Sequence, residues 1–194
     1  MMKEVKLNTA LKEEDVRDLR IGDVVYISGV ICTSRDMGHL KMIDVTEKSE
    51  KLPIDFQGGV IFHAGPVVKK QGEKYEVIVI GPTTSIRMEP YSDFIGGLGA
   101  KAIIGKGGME EGTSKALKKY GMVYLQAPPG CAVVLGEQIK RVKDVFWMEL
   151  GVPEALWVLE VENFGPLVVG MDSEGNSIYR DIKIKGKKLI EKMF

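Results

Sequence analysis

Apolar and polar positions along this chain sort into short runs rather than one long periodic pattern. VVYISGVICTS (24–34), rich in β-branched residues, has strand composition. GVIFHAGPVVKK (59–70) and YEVIVIGP (75–82) predict two more strands, joined by the polar connection QGEK. After Gly81-Pro82, the stretch TTSIRMEPYSDFIGGLG predicts a turn leading into a helix that begins near Thr84. AKAIIGKGG predicts a short buried strand ending in a glycine loop. MEEGTSKALKKYG predicts a helix, with acids early, lysines late and Gly121 as its stop. MVYLQAPPGCAVVLG reads as a further buried strand and turn, and WVLEVENFGPLVVGMDSEGNSIY as two strands around the DSEGN turn. Strand-like runs alternating with amphipathic ones predict an α/β or α+β architecture in a single domain over 1–194.

Composition narrows what such a fold can serve. Of 194 residues, 44% are hydrophobic, enough for one sizeable core. Lys plus Arg is 27 and Asp plus Glu is 27, so the formal net charge is zero and nothing favours a polyanion or an anionic membrane as partner. No apolar run approaches the roughly 20 residues needed to cross a bilayer. The charged start MMKEVKLNTALKEEDVRDL lacks the uninterrupted apolar stretch of a signal peptide, which predicts a cytoplasmic protein. Cys32 and Cys131 are too few for a disulfide scaffold, and His39 and His63 are not spaced near them as metal ligands. No self-contained zinc or iron-sulfur site is expected, and both cysteines read as half-buried thiols in a reducing compartment.

Polar residues and glycines cluster directly after the apolar strands, where loops of α/β proteins bind ligands. Four such loops stand out: TSRDMGH (33–39), HAGP (63–66), GPTTSIRM (81–88) and GKGGM (105–109). They carry three cations, Arg35, Arg87 and Lys106. Converging, these would suit a dicarboxylate, because an arginine fork matches a carboxylate in two hydrogen bonds and a lysine adds a point charge. A helix starting near Thr84 would aim free N–H groups at the same anion, with Thr83 and Arg87 four residues apart on one side of its first turn. The glycines of GKGG could turn further amides toward it as a nest. Each feature also has an ordinary explanation. Thr83, Thr84 and Ser85 could be N-cap and turn residues, Arg35-Asp36 a surface ion pair, Lys106 a solvated loop lysine, and His39 and His63 satisfied residues without a titrating role.

The strings GPTTSIRM, SRDMGH, HAGP, GKGGM, GCAVVL, ELGVPEALWVLEV and FGPLVV, in this order from about Leu7 to Tyr179, resemble the β subunit, or C-terminal domain, of the class I iron-sulfur fumarate hydratase and L-tartrate dehydratase family. The resemblance implies a swivelling β/β/α domain with a mixed sheet and flanking helices. It implies an enzyme, a hydro-lyase interconverting fumarate and L-malate, that is active only with an α subunit. That α subunit would carry three cysteines holding a 4Fe-4S cluster, a set that two cysteines here cannot supply. By resemblance Thr83 is the proton acceptor, Arg87 lowers the cost of its alkoxide, and Arg35, Lys106 and Thr84 bind substrate; no metal ligand is expected in this chain. His63 and the Lys106-Gly107-Gly108 loop resemble the two-subunit branch, which includes tartrate dehydratases. A β subunit of L-tartrate dehydratase and a non-catalytic dicarboxylate-binding domain are therefore the alternatives.

Overall fold

A computed structural model describes residues 2–193. Strands β1 (Glu4–Asn8), β2 (Val24–Thr33), β3 (Val60–Phe62), β6 (Ala102–Gly105), β7 (Val123–Gln126), β8 (Ile139–Phe146) and β9 (Leu156–Met171) form one mixed sheet in the order β1-β2-β3-β6-β7-β9-β8. β2, β3, β6 and β7 run parallel, whereas β9 runs antiparallel to β7 and also to β2. The pairing therefore closes on itself, β2-β3-β6-β7-β9 and back to β2, a mixed sheet with flanking helices as expected.

Period-two alternation gives this ring two apolar faces. Val60, Phe62, Ala102, Ile104, Val123, Leu125, Trp157 and Leu159 pack into one core cluster. The intervening Ile61, Ile103, Tyr124, Leu156 and Val158 belong to a second. That second layer is covered by helices α2 (Asp36–Glu47), α3 (Ser92–Gly97) and α4 (Glu111–Tyr120) through Met42, Ile95 and Leu117. α4 ends as expected, with Lys118 and Lys119 in its last turn and Gly121 in the left-handed region at φ 59°. A shorter helix α1 (Glu13–Arg17) contributes Val16 to the first cluster. Among the described residues no helix is long and apolar enough to cross a membrane.

Elsewhere the structure departs from the sequence expectations. The run 59–70 is two strands, because His63 donates its N–H to Ile104 in the main sheet and accepts the Thr83 N–H with its carbonyl. Beyond that hinge, β4 (Ala64–Gln71) pairs with β5 (Lys74–Pro82) as a separate hairpin whose turn is only Gly72-Glu73. Helix α5 (Ala132–Glu137) occupies CAVVLG, read above as turn, and packs on β5 with Gly136 against the Ile78 carbonyl. After the DSEGN turn there is a single bridge, Met171 to Ser177, instead of a second strand. Asp172 accepts the N–H groups of Glu174 and Asn176, and Ser177 caps helix α6 (Ile178–Ile190) by accepting the Arg180 N–H.

Candidate active site

The loops leaving β2, β3 and β6 at their C-terminal ends, with the return from β5, meet at one edge of the ring. Main-chain bonds hold them in register. Thr83 donates its N–H to the His63 carbonyl at 2.7 Å, Lys106 donates to Thr83 at 3.2 Å, and Ser85 donates to Lys106 at 3.0 Å. Thr84 and Lys106 thus form a parallel bridge, and the Thr83–Arg87 segment is bound to the Lys106 loop.

The segment after Thr84 is a 3₁₀ turn, Ser85–Tyr91, rather than the expected α-helix. Pro90 has no N–H to donate back along an α-helix, and the Ser85 amide is already used by Lys106. Glu89 anchors the far end, its carboxylate accepting the N–H groups of Glu110 and Thr113 and the Thr113 hydroxyl at the start of α4.

None of the three hydroxyls is spent on capping. Thr84, at the N-cap, makes no side-chain cap bond, and its side chain is exposed. Ser85 is buried, with Oγ 3.0 Å from His63 Nδ1. Thr83 Oγ1 accepts from Arg87 Nη2 at 3.1 Å, so the side-by-side relation expected of these two residues holds in the tighter turn.

Two of the three cations have carboxylate partners that adjacency in sequence does not indicate. Asp36 pairs with Arg87 and not with Arg35: Arg87 Nε donates to Oδ1 at 3.2 Å and Nη2 to Oδ2 at 2.9 Å. Arg35 lies instead beside Glu154, with Nε 3.1 Å from Oε1. That contact is close enough for charge pairing but misaligned as a hydrogen bond, leaving the buried Nε–H without an acceptor. Glu154 Oε2 also accepts the Met37 N–H in the first turn of α2. Among the described residues Lys106 has no carboxylate within ion-pair distance, and the amides of Gly107 and Gly108 beside it donate to no acceptor. Arg35, Thr83, Arg87 and Lys106 accordingly stand on neighbouring strand ends. Thr83 touches Arg87 directly, Lys106 is joined to it through main chain, and Arg35 is linked through its neighbour Asp36.

Beneath them lies a buried polar layer. His39 and His63 are each 1% exposed, their rings edge to face at 5.4 Å, and His39 stacks on Tyr91 at 5.1 Å. His39 Nδ1 is 2.8 Å from the Arg35 carbonyl, which can only accept, so Nδ1 carries the proton. Burial pushes His39 down to about 4, partly opposed by that carbonyl and by Asp36. Burial, His39 and Arg87 together push His63 well below 6.5. Both rings are neutral near pH 7 and act as fixed struts, in keeping with the non-titrating reading. Tyr124, whose phenol is raised by burial, donates to the Gly107 carbonyl at 2.8 Å.

Among the described residues no group of three or more His, Cys, Asp or Glu side chains is placed to hold a metal ion. Cys32 is buried, and its thiol is pushed up to about 12 by desolvation. Cys131 stands at the start of α5 and is partly exposed. These donors do not make a ligand set for an iron-sulfur cluster.

The family model described as Fumarase C-terminus matches residues 1–182. The chain belongs to this family. Members similar along their whole length include a Methanocaldococcus jannaschii protein provisionally named L(+)-tartrate dehydratase subunit beta, 49% identical over 94% of this chain and 93% of its own length. The Escherichia coli K12 L(+)-tartrate dehydratase subunit beta is 43% identical over 91% of this chain and 87% of its own. A Geobacillus stearothermophilus protein provisionally named fumarate hydratase class I is 43% identical over 97% of this chain, which corresponds to 35% of that longer protein. Within this Fumarase C-terminus domain, the sequence singles out Arg35, Thr83, Thr84, Arg87 and Lys106 as candidates, but not Glu154, Glu89 or the pairing of Asp36 with Arg87. Only the prolines beside them, in Glu89-Pro90 and Pro153-Glu154, hint at the first two as acids at bends of the chain.

Proposed function

We propose that this chain is the β subunit of a cytoplasmic iron-sulfur hydro-lyase that interconverts fumarate and L-malate. The observation carrying the proposal is the Arg87 guanidinium hydrogen-bonded to the Thr83 hydroxyl beside two further cations. A hydroxyl is a poor base, so Thr83 first gives its own proton to solvent, and a fixed N–H donor 3.1 Å away stabilises the oxyanion that then takes a proton from the carbon next to a carboxylate. Removing that proton moves negative charge onto the carboxylate. Arg35, Lys106 and the unengaged amides of Gly107 and Gly108 offer donors and positive charge for that developing charge, with little rearrangement of the main chain. In hydration, Thr83 returns the proton to the same carbon. Loss of hydroxide from the adjacent carbon is the partner's share, since the donors of this chain do not fit the cluster expected there.

A second reading, L-tartrate as substrate, is favoured by the names of the relatives similar along their whole length. Thr84 supports it as well, because its exposed hydroxyl has no partner among the described residues and could receive the extra substrate hydroxyl. A dicarboxylate-binding domain without chemistry would gain nothing from the Thr83–Arg87 contact.

The test is anaerobic reconstitution with a cognate iron-sulfur α subunit. Oxygen-sensitive hydration of fumarate is expected from the pair and none from this chain alone; hydration by the isolated chain would refute the two-part reading. Comparing turnover of L-malate and L-tartrate by the same pair decides the substrate.

A further inference from the structure

We propose that Asp36 is the positioning residue of the base, acting through Arg87; this role rests on the hydro-lyase reading above. A guanidinium has five N–H donors. On Arg87, Nε–H goes to Asp36 Oδ1, one Nη2–H to Asp36 Oδ2, and the other Nη2–H to Thr83 Oγ1. The Nε–H and the Nη2–H next to it form the edge that faces Asp36, and the second Nη2–H lies on the terminal edge beside one Nη1–H. The two Nη1–H donors make no bond among the described residues and are left for a substrate carboxylate. Asp36 therefore sets two directions at once, that of the N–H aimed at the base and that of the donors aimed at the substrate.

The need for such a brace follows from exposure. The Arg87 side chain is 44% accessible and leaves a short 3₁₀ turn. Without a bidentate partner its terminal torsions are free, and the contact with Thr83 would become one of several alternatives. Asp36 is well suited to hold it, being fixed at the first position of α2, whose preceding main chain is pinned by the His39 ring at the Arg35 carbonyl.

Two rival roles for the pair are open to experiment. A plain surface ion pair contributes little, but such a pair does not require the donor to continue onto a hydroxyl. A competitor that fills Arg87 in place of substrate would take the Nη1–H donors, whereas Asp36 takes the Nε–Nη2 edge. Asp36 neutralises part of the charge that favours the Thr83 oxyanion, so its contribution is geometric rather than electrostatic.

The test uses this chain assembled with its α subunit. Asp36→Ala is expected to lower kcat by about 10 to 100-fold, the scale of a small misplacement of catalytic groups, with KM changed by less than about threefold. Asp36→Asn keeps an acceptor oxygen for the fork and should restore most of kcat. Asp44→Ala, on the same helix in an exposed pair with Lys48, should leave both constants unchanged. In the ¹⁵N-labelled isolated chain, the Arg87 Nε–H should exchange slowly with solvent, and Asp36→Ala should abolish that protection. Unchanged kcat in Asp36→Ala would mean a surface pair, and a lowered KM with undiminished kcat would mean a competitor; either overturns the proposal alone. A wild-type assembly without hydro-lyase activity, or full activity in Thr83→Ala, would overturn the underlying reading as well.

Discussion

A Cβ placed on Gly105 would stand 1.8 Å from Ser85 Oγ and 3.2 Å from the Tyr124 hydroxyl, whereas one placed on Gly186 would meet nothing within 4 Å. The two glycines typify two regions. Around Gly105, at the end of β6, loops from four strands are bound to one another by main-chain bonds over buried histidines, a serine and a tyrosine. Around Gly186, helix α6 has no buried residue, and Ile182, Ile184, Leu189 and Ile190 lie exposed. One region is over-determined by these bonds; the other is held mainly through its N-terminal turn, where Tyr179 packs under Gly108. Changes of equal chemical size should therefore have unequal consequences.

The largest effect is expected in the over-determined region, at the base proposed above. Thr83→Ala in the reconstituted pair should lower kcat by about 10²- to 10⁴-fold, the usual worth of a general base. The urea midpoint of the isolated chain should barely move, because Thr83 is only half-buried and Arg87 keeps Asp36. A parallel loss of stability would show Thr83 to be structural.

Acid should attack the same region next. The unfolded chain protonates His39 as pH falls through about 6.5, while burial in the folded chain delays this to about 4. Stability present above pH 6.5 is therefore lost progressively between those values, on the order of 3 kcal/mol, and the buried His63 acts in the same direction. Urea titrations from pH 7.5 to 4.5 check this, and His39→Asn should flatten part of the slope. No histidine lies in α6, so the acid effect belongs to the site side.

The glycines themselves give the smallest and sharpest contrast. Gly105→Ala should cost about 1 to 3 kcal/mol through overpacking against Ser85 and reduce turnover. Gly186→Ala, in an exposed helix interior, should gain about 0.5 to 1 kcal/mol with turnover unchanged. Thermal melts and kcat of both variants suffice, and equal effects would erase the distinction between the regions.

The same contrast explains how much was legible in the sequence. β2, β5, β6 and α4 could be read because each carries its own signal, β-branched runs for the strands and charge-ordered ends with a glycine stop for α4. Arg35, Thr83, Thr84, Arg87 and Lys106 stand out because they follow such strands, and the structure brings their loops together. α6 could not, since its apolar positions face no core and IYRDIKIKGKK presents strand-like residues between lysines. β8, with IKRVKDVF, hides its alternation under the charges of a half-exposed strand. The partners of the cations were hidden for another reason: adjacency suggested Arg35 with Asp36, and only the tertiary approach of the turn at 85–91 and of Glu154 reassigns both.

Closure of the ring by β9 has a consequence in time. β2, β3, β6 and β7 are complete once Gln126 has been synthesised, yet β2 and β7 find their last neighbour only in residues 156–171. During synthesis the nascent chain carries an open parallel sheet with unsatisfied main-chain edges, able to pair with a second nascent chain until β9 emerges. Refolding in vitro faces the same delay, because joining β2 to β9 closes a loop over most of the chain before either strand is stabilised. Yield at high protein concentration should thus depend on how quickly this one strand arrives.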